Sequence, residues 1–179
     1  LLVDKGLREL VDAVKELNKN KLICKLKIYG MPDPNNISSI NDDELIAWKG
    51  YSGVSLQGHT DEPQLALMDA DCIVLASYRE GMPKSLLEAG SMGLPAVATN
   101  VPGCKHFIAD GLNGYLCEAR DTRSLQLKMK LMLETSFEKR QAMGKTSREL
   151  ILKKFDEKML INFVINIIKS MDSSELNQA

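Results

Sequence analysis

The stretch "SYREGMPKSLLEAGSMGLPAVATN", Ser77 to Asn100, carries two acids, Glu80 and Glu88, with seven residues between them. It reads as loop, helix, turn and strand. Pro83 suits the first position of a helix, where a missing N–H costs nothing. Gly93 closes that helix, and "AVATN" follows as a short apolar strand. The run before it, "CIVLAS", has the composition of a buried strand. A helix joining two short apolar strands is a right-handed βαβ unit, which requires a parallel sheet.

Upstream, Leu7, Leu10, Val11, Val14 and Leu17 recur at helical spacing after Gly6 and predict an amphipathic helix over 7–19. "CKLKIYG" follows as a strand, then a loop, "MPDPNNISSIND", dense in Pro, Asn and Ser. Asp42 or Asp43 is expected to cap a short helix running through Trp48, before the strand "VSLQG". Pro63 starts another short helix, ending near Ala70. Downstream, "VPG" turns into a helix around Cys104–Ala109 and "GYLCEA" is the last strand. From Thr122 the pattern is helical, in three helices up to about Met171, and "DSSELNQA" reads as a frayed tail. The fold class is α/β, a Rossmann-like parallel sheet with helices on both faces. Ligands of such sheets sit beyond the carboxyl ends of the strands. The loops after "IYG", "SLQG", "VLAS" and "VATN" therefore border the site, and Ser77–Pro83 is one of them.

The chain has 179 residues, 44% hydrophobic and 26% charged, with Lys+Arg 23 against Asp+Glu 24. A formal charge of -1 gives no bulk attraction to nucleic acid or to an anionic membrane. The four cysteines are scattered without a CxxC pair, two of them in apolar runs, which reads as buried thiols rather than bridges or zinc ligands. No apolar run nears the ~20 residues of a membrane span. A cytoplasmic location is expected. "LLVDKGLREL" begins in mid-pattern, with "LLV" as the end of an element begun earlier. The expectation is a nucleotide-binding domain over 1–155 with a truncated first strand, and a C-terminal helix and tail over 156–179 that packs toward a missing N-terminal domain.

The amides of Lys84, Ser85 and Leu86 would be open donors at the positive end of a helix, a ready phosphate site. Gly81 lets backbone approach a ligand closely. Glu80, before the helix, can project over the strand edge, and Glu88, a turn farther in, can accept hydrogen bonds from ligand hydroxyls. Two acids flanking an anion-binding helix end suit a phosphate held between two polyhydroxy groups, as in a nucleotide sugar. The plainer alternative is a solvated helix face, in which Lys84 and Glu88 form a weak surface pair.

"REGMPKSLLEAGSMGLPAVATNVPGCKHFIADGLNGYL" resembles the carboxyl-terminal, donor-binding domain of retaining GT-B glycosyltransferases of family GT4. The resemblance rests on Glu80-x7-Glu88, then Gly93-Leu94-Pro95, Val101-Pro102-Gly103-Cys104 and Gly111-Leu112-Asn113-Gly114, and it extends from Asp4 to about Phe155. It implies that Glu88 holds the donor's ribose hydroxyls and that Glu80 faces the transferred sugar near its reacting carbon. It implies also that the amides of Gly81 and Met82 meet sugar hydroxyls and those of Lys84, Ser85 and Leu86 cradle the diphosphate. Lys5 matches the lysine that neutralises the leaving diphosphate, where negative charge grows as the glycosidic bond breaks. The arginine that accompanies it in the family lies outside the sequence. The family needs no metal ion or other cofactor. Its members that look most similar act in capsular or cell-surface polysaccharide assembly, with UDP-sugars as donors and lipid-linked or sugar acceptors.

Gly30 and Met31, with Gly58 and His59, end strands at the expected cleft and could edge a nucleobase or simply form turns. Asp69-Ala70-Asp71 looks like a DxD metal motif but precedes its strand, on the wrong edge for the site, and reads as capping. Tyr78 and Arg79 could reach an acceptor or brace the loop. The apolar positions Leu160, Phe163, Val164, Ile167 and Ile168 read as a docking helix or as contact with the missing domain or a membrane's inner face. The rival to a transferase is a non-catalytic nucleotide-binding module; no GxGxxG or GxxxxGK[ST] supports its common versions. A sugar phosphorylase would need a pyridoxal lysine, and no lysine stands out for that role.

Overall fold

The computed structural model describes residues 1–155, 161 and 165–167. The C-terminal helix and tail expected over 156–179 otherwise lie outside the described residues. Five strands, β1 (Leu26–Tyr29), β2 (Val54–Gly58), β3 (Ile73–Leu75), β4 (Ala96–Thr99) and β5 (Gly114–Cys117), are joined by helices. These are α1 (Leu7–Lys19), α2 (Asp42–Lys49), α3 (Pro63–Met68), α4 (Lys84–Ser91), α5 (Pro102–Lys105), α6 (Thr122–Glu134) and α7 (Phe137–Lys154). β1 pairs with β2, and β3 with β4 and β4 with β5, every pair parallel. The α/β sheet expected from the sequence is present, divided into a two-stranded and a three-stranded part.

Strand alternation sorts the core into two layers. Val97 of β4 joins Leu10, Val11 and Val14 of α1 and Met129 and Met132 of α6 on one face. Its neighbours Ala96 and Ala98 join Leu86 of α4, Cys104 of α5 and Phe107 on the other. Each of the larger side chains, the valines, leucines, methionines and Phe107, stabilises the fold by about 1.5–3 kcal/mol relative to exposure. The buried face of α1 is the one its periodicity marks.

Several boundaries differ from expectation. Pro83 is the cap residue of α4 rather than its first turn: its φ of -73° fits a helix, but its ψ of 112° is extended. The cap of α2 is Asn41, whose side-chain oxygen accepts the Glu44 amide at 2.9 Å; Asp42 and Asp43 occupy the first turn, where they complement the helix dipole. α5 is earlier and shorter than expected. β3 is only half-buried throughout, because the edge it turns toward β1 has no strand partner among the described residues.

Candidate functional site

The loop from β3 to α4 is anchored on three sides. Beneath it, Ser77 is fully buried and its carbonyl accepts the Thr99 hydroxyl at 2.6 Å. Beside it, Gly103 donates its amide to the Glu80 carbonyl at 3.1 Å. A Cβ on Gly103 would stand 2.0 Å from the Gly81 oxygen, so only glycine admits this approach. On the third side the Tyr78 amide donates to the Asp4 carbonyl at 2.8 Å, and the Tyr78 hydroxyl to the Glu9 carboxylate at 2.6 Å. Burial, with that bond to Glu9, pushes the Tyr78 phenol up to about 12. The Arg120 guanidinium lies 4.6 Å from the centre of the Tyr78 ring. Tyr78 thus braces the loop.

Held this way, the loop brings Glu80 to Lys5, Nζ to Oε1 at 2.8 Å. The Glu80 side chain is 13% exposed and that of Lys5 47%, so the carboxylate is recessed and the ammonium stands at the surface. Arg79 reaches Asp4 at 3.9 Å, and the other Asp4 carboxylate oxygen is buried with no hydrogen-bond partner among the described residues. The two residues that the sequence pairs for the reacting end of a ligand therefore touch, although they are far apart in the chain.

α4 supplies the second acid. Glu88 is partly exposed and 3.5 Å from Lys84, the weak i,i+4 pair that the plainer reading expected. Of the three amides expected to meet an anion, one is already used within the helix. The Leu86 amide is already given to the Pro83 carbonyl at 3.1 Å, and its side chain is fully buried, so Leu86 packs the core rather than facing a ligand. Lys84 and Ser85 begin the helix, where no intrahelical carbonyl is in register for their amides. Around Gly81 a Cβ would meet nothing within 4 Å, and Met82 beside it is exposed.

At the ends of β1 and β2, Gly30 donates to the Gly58 carbonyl at 2.7 Å, with φ of 122° and 77° at the two glycines. The Met31 sulfur lies 3.9 Å from where a Gly58 Cβ would be. Gly30, Met31 and Gly58 thus form one rim. His59 turns away to Asp61 at 3.0 Å, mostly exposed. Asp69 and Asp71, at the opposite end of the sheet, pair with Lys27 at 3.8 Å and Arg140 at 3.6 Å. The sequence reading had Gly103 in its motif and Tyr78 as one of two readings a brace, but not their partners, the Glu80 carbonyl and the Glu9 and Arg120 side chains. "VPG" signalled only a turn, and no local pattern links Tyr78 to Glu9.

The family model for "Glycosyl transferases group 1" matches residues 1–150. Among curated proteins, the chain is 25% identical over 161 residues to the capsular polysaccharide biosynthesis glycosyltransferase CapM of Staphylococcus aureus, covering 89% of this chain and 41% of that protein. It is 28% identical over 163 residues to the poly(ribitol-phosphate) alpha-N-acetylglucosaminyltransferase of Staphylococcus aureus strain COL, covering 90% of this chain and 32% of the relative. Among solved structures, a mutant of S. aureus TarM in complex with Fondaparinux, alpha-GlcNAc-glycerol and UDP superposes with a TM-score of 0.77 at 26% identity, over 90% of this chain and 32% of that one. The chain thus spans well under half the length of these proteins.

Proposed function

Because the chain belongs to the glycosyl transferases group 1 family and has the architecture of one half of a GT-B enzyme, we propose that it is the donor-binding domain of a retaining glycosyltransferase that takes a UDP-sugar. The observation that carries this reading is the Lys5–Glu80 contact at 2.8 Å beside the open start of α4. A cation, a recessed carboxylate and free helix amides stand together where a sugar diphosphate would present an anion next to hydroxyls. The Lys84 and Ser85 amides hold the diphosphate, with Gly81 and Met82 giving amides to the sugar. Glu88 takes the ribose hydroxyls, and the rim of Gly30, Met31 and Gly58 edges the base. Lys5 offsets the charge that grows on the diphosphate as the bond to the sugar breaks.

The whole protein then places an acceptor on a second domain, the sugar keeping its anomeric configuration. The alpha linkage named for one relative supports that stereochemistry, and the UDP in the TarM complex supports the base. Relatives in capsule and poly(ribitol-phosphate) glycosylation support a surface-polysaccharide acceptor, sugar or lipid-linked. No helix among the described residues is long and apolar enough to cross a membrane. The proposal places the enzyme on the cytoplasmic side, where nucleotide sugars are made, working at the inner face when its acceptor is lipid-linked. It assigns no metal ion to the transfer.

Titration calorimetry with UDP tests the reading. Glu88→Gln should weaken UDP binding by about tenfold or more, the loss of a hydrogen bond to a charged group. Its melting temperature should stay close to that of the parent chain. Unchanged UDP affinity in Glu88→Gln, or a large fall in melting temperature, defeats it.

A further inference from the structure

Arg120 holds a backbone conformation that side chains disfavour. It stands between the end of β5 and the start of α6 with φ of 62°, in the left-handed region that glycine enters freely and other residues enter at a cost. The turn is closed on both sides of it. The Glu118 amide donates to the Ser124 hydroxyl, and the Ser124 amide to the Asp121 carboxylate, each at 2.9 Å. Glycine would make the same turn without strain, so what Arg120 contributes lies in its side chain. That side chain is exposed and pairs with no carboxylate among the described residues; it lies instead on the Tyr78 ring, 4.6 Å from the centre. Arg8, the other cation near Tyr78, is committed to Glu44 by two bonds, at 2.6 and 2.9 Å.

Tyr78 ties together the two halves of the Lys5–Glu80 pair. Its amide donates to the carbonyl of Asp4, the residue before Lys5, and it stands two residues before Glu80. Its hydroxyl donates to Glu9, whose other carboxylate oxygen is buried with no hydrogen-bond partner among the described residues. A tyrosine fixed at its amide and its hydroxyl can still tilt about the line between them; a guanidinium seated on its ring closes that motion. The loop that follows needs the support. β3 is three residues long, Pro83 gives α4 no side-chain cap, and a Cβ at Gly81 would meet nothing within 4 Å. We propose that Arg120 is a positioning residue for Glu80: seated on Tyr78, it keeps the β3–α4 loop in the register that sets the Glu80 carboxylate against Lys5 and toward the sugar of a bound donor. The last step of this inference rests on the donor-site reading, in which Glu80 faces the sugar and Glu88 the ribose. Loss of Arg120 therefore falls on the sugar half of the ligand and spares the nucleotide half.

The test compares Arg120→Gly, which keeps the turn and removes the guanidinium, with Arg120→Lys, which keeps a cation over the ring. In Arg120→Gly the melting temperature should stay within about 3 °C of the parent's, the relieved backbone offsetting the lost ring contact. Exchange of the Tyr78 and Gly103 amides, which bond the Asp4 and Glu80 carbonyls, should quicken at least about tenfold while that of the core residue Val97 does not change. Arg120→Lys should recover most of that protection. Calorimetry uses UDP and whichever of UDP-glucose and UDP-N-acetylglucosamine the parent binds more tightly. Arg120→Gly should keep UDP affinity within about twofold and weaken the UDP-sugar at least about fivefold, the scale of one hydrogen bond. Unchanged exchange at Tyr78 and Gly103, equal quickening at Val97, or an unchanged UDP-sugar affinity overturns the proposal. So does a parallel loss of UDP and UDP-sugar affinity, which would make Arg120 a ligand of the diphosphate itself. A parent chain that binds neither ligand defeats the donor-site reading instead, and the exchange result then still decides whether Arg120 holds the loop.

Discussion

Gly103 is the residue on which the placement of Glu80 turns. Its amide holds the Glu80 carbonyl, and its missing side chain is what lets α5 sit against the loop. Gly103→Ala forces the Gly81 and Glu80 carbonyls away and should cost about 1–3 kcal/mol in urea denaturation. It should weaken UDP binding as the loop moves. Gly81→Ala is the contrast: with nothing within 4 Å of the new methyl, stability should stay within about 0.5 kcal/mol. Equal losses at the two glycines would show that the loop is not pinned by α5. At this scale the acids and Lys5 were legible in the sequence, because the motif fixes residue types at fixed spacing. Their meeting depends on Tyr78, Glu9, Asp4 and Gly103, drawn from separate elements, and such contacts leave no periodic trace. The spent amide of Leu86 was equally hidden. It comes from a tight first turn, in which the Pro83 carbonyl accepts from Leu86 as well as from Leu87.

α7 shows how an element can depend on a residue that weakens it locally. Gly144 lies in the middle of this helix, where alanine would add about 1 kcal/mol of intrinsic helix preference. A Cβ there would fall 1.8 Å from the Gly93 carbonyl, at the turn that ends α4. Overpacking against backbone, typically 1–3 kcal/mol, outweighs the propensity gain. Gly144→Ala should therefore destabilise the chain by up to about 2 kcal/mol in a denaturant titration. A stabilised variant would mean that α7 does not rest on α4 in solution. α1, α6 and α7 were readable as helices, and α1 as an amphipathic one. The seating of α7 on Gly93 was not readable, since a glycine inside a helical run signals a weak point and not what lies against it.

For the whole molecule, the buried thiols set an alkaline limit. Burial pushes Cys72 up to about 12, Cys104 to about 11 and Cys117 to about 12. In the unfolded chain these thiols ionise near 9. Above that pH the unfolded chain has shed protons that the folded chain still holds, so stability is full below pH 9 and declines as pH rises toward 11 to 12. Cys104 and Cys117 are buried, whereas Cys72 is only half-buried and lines the cavity between β1 and β3; the first two should dominate. Melting curves between about pH 8 and about pH 11 should show a continuous fall, on the order of a few kcal/mol in all. A fall that persists undiminished when Cys104 and Cys117 are both replaced by alanine, and stability is referenced to that variant at pH 8, would assign it elsewhere. The class of fold and the order of its elements were legible at this scale, because alternating apolar strands and helices leave few topologies. A truncated first strand was expected, but not that the sheet divides between β1 and β3: strand composition is the same whether one edge is paired or open.

The Lys5–Glu80 pair has a consequence for the order of events at the site. On the proposed reading a diphosphate reaching the site finds the Lys5 ammonium already paired with Glu80 and competes with that carboxylate for it. On the proposed reading the same exchange releases Glu80, which becomes free for sugar hydroxyls only once the anion is seated. A sugar without its phosphates would find that acid occupied, and discrimination against free sugars would begin with a side-chain swap rather than with the shape of the pocket.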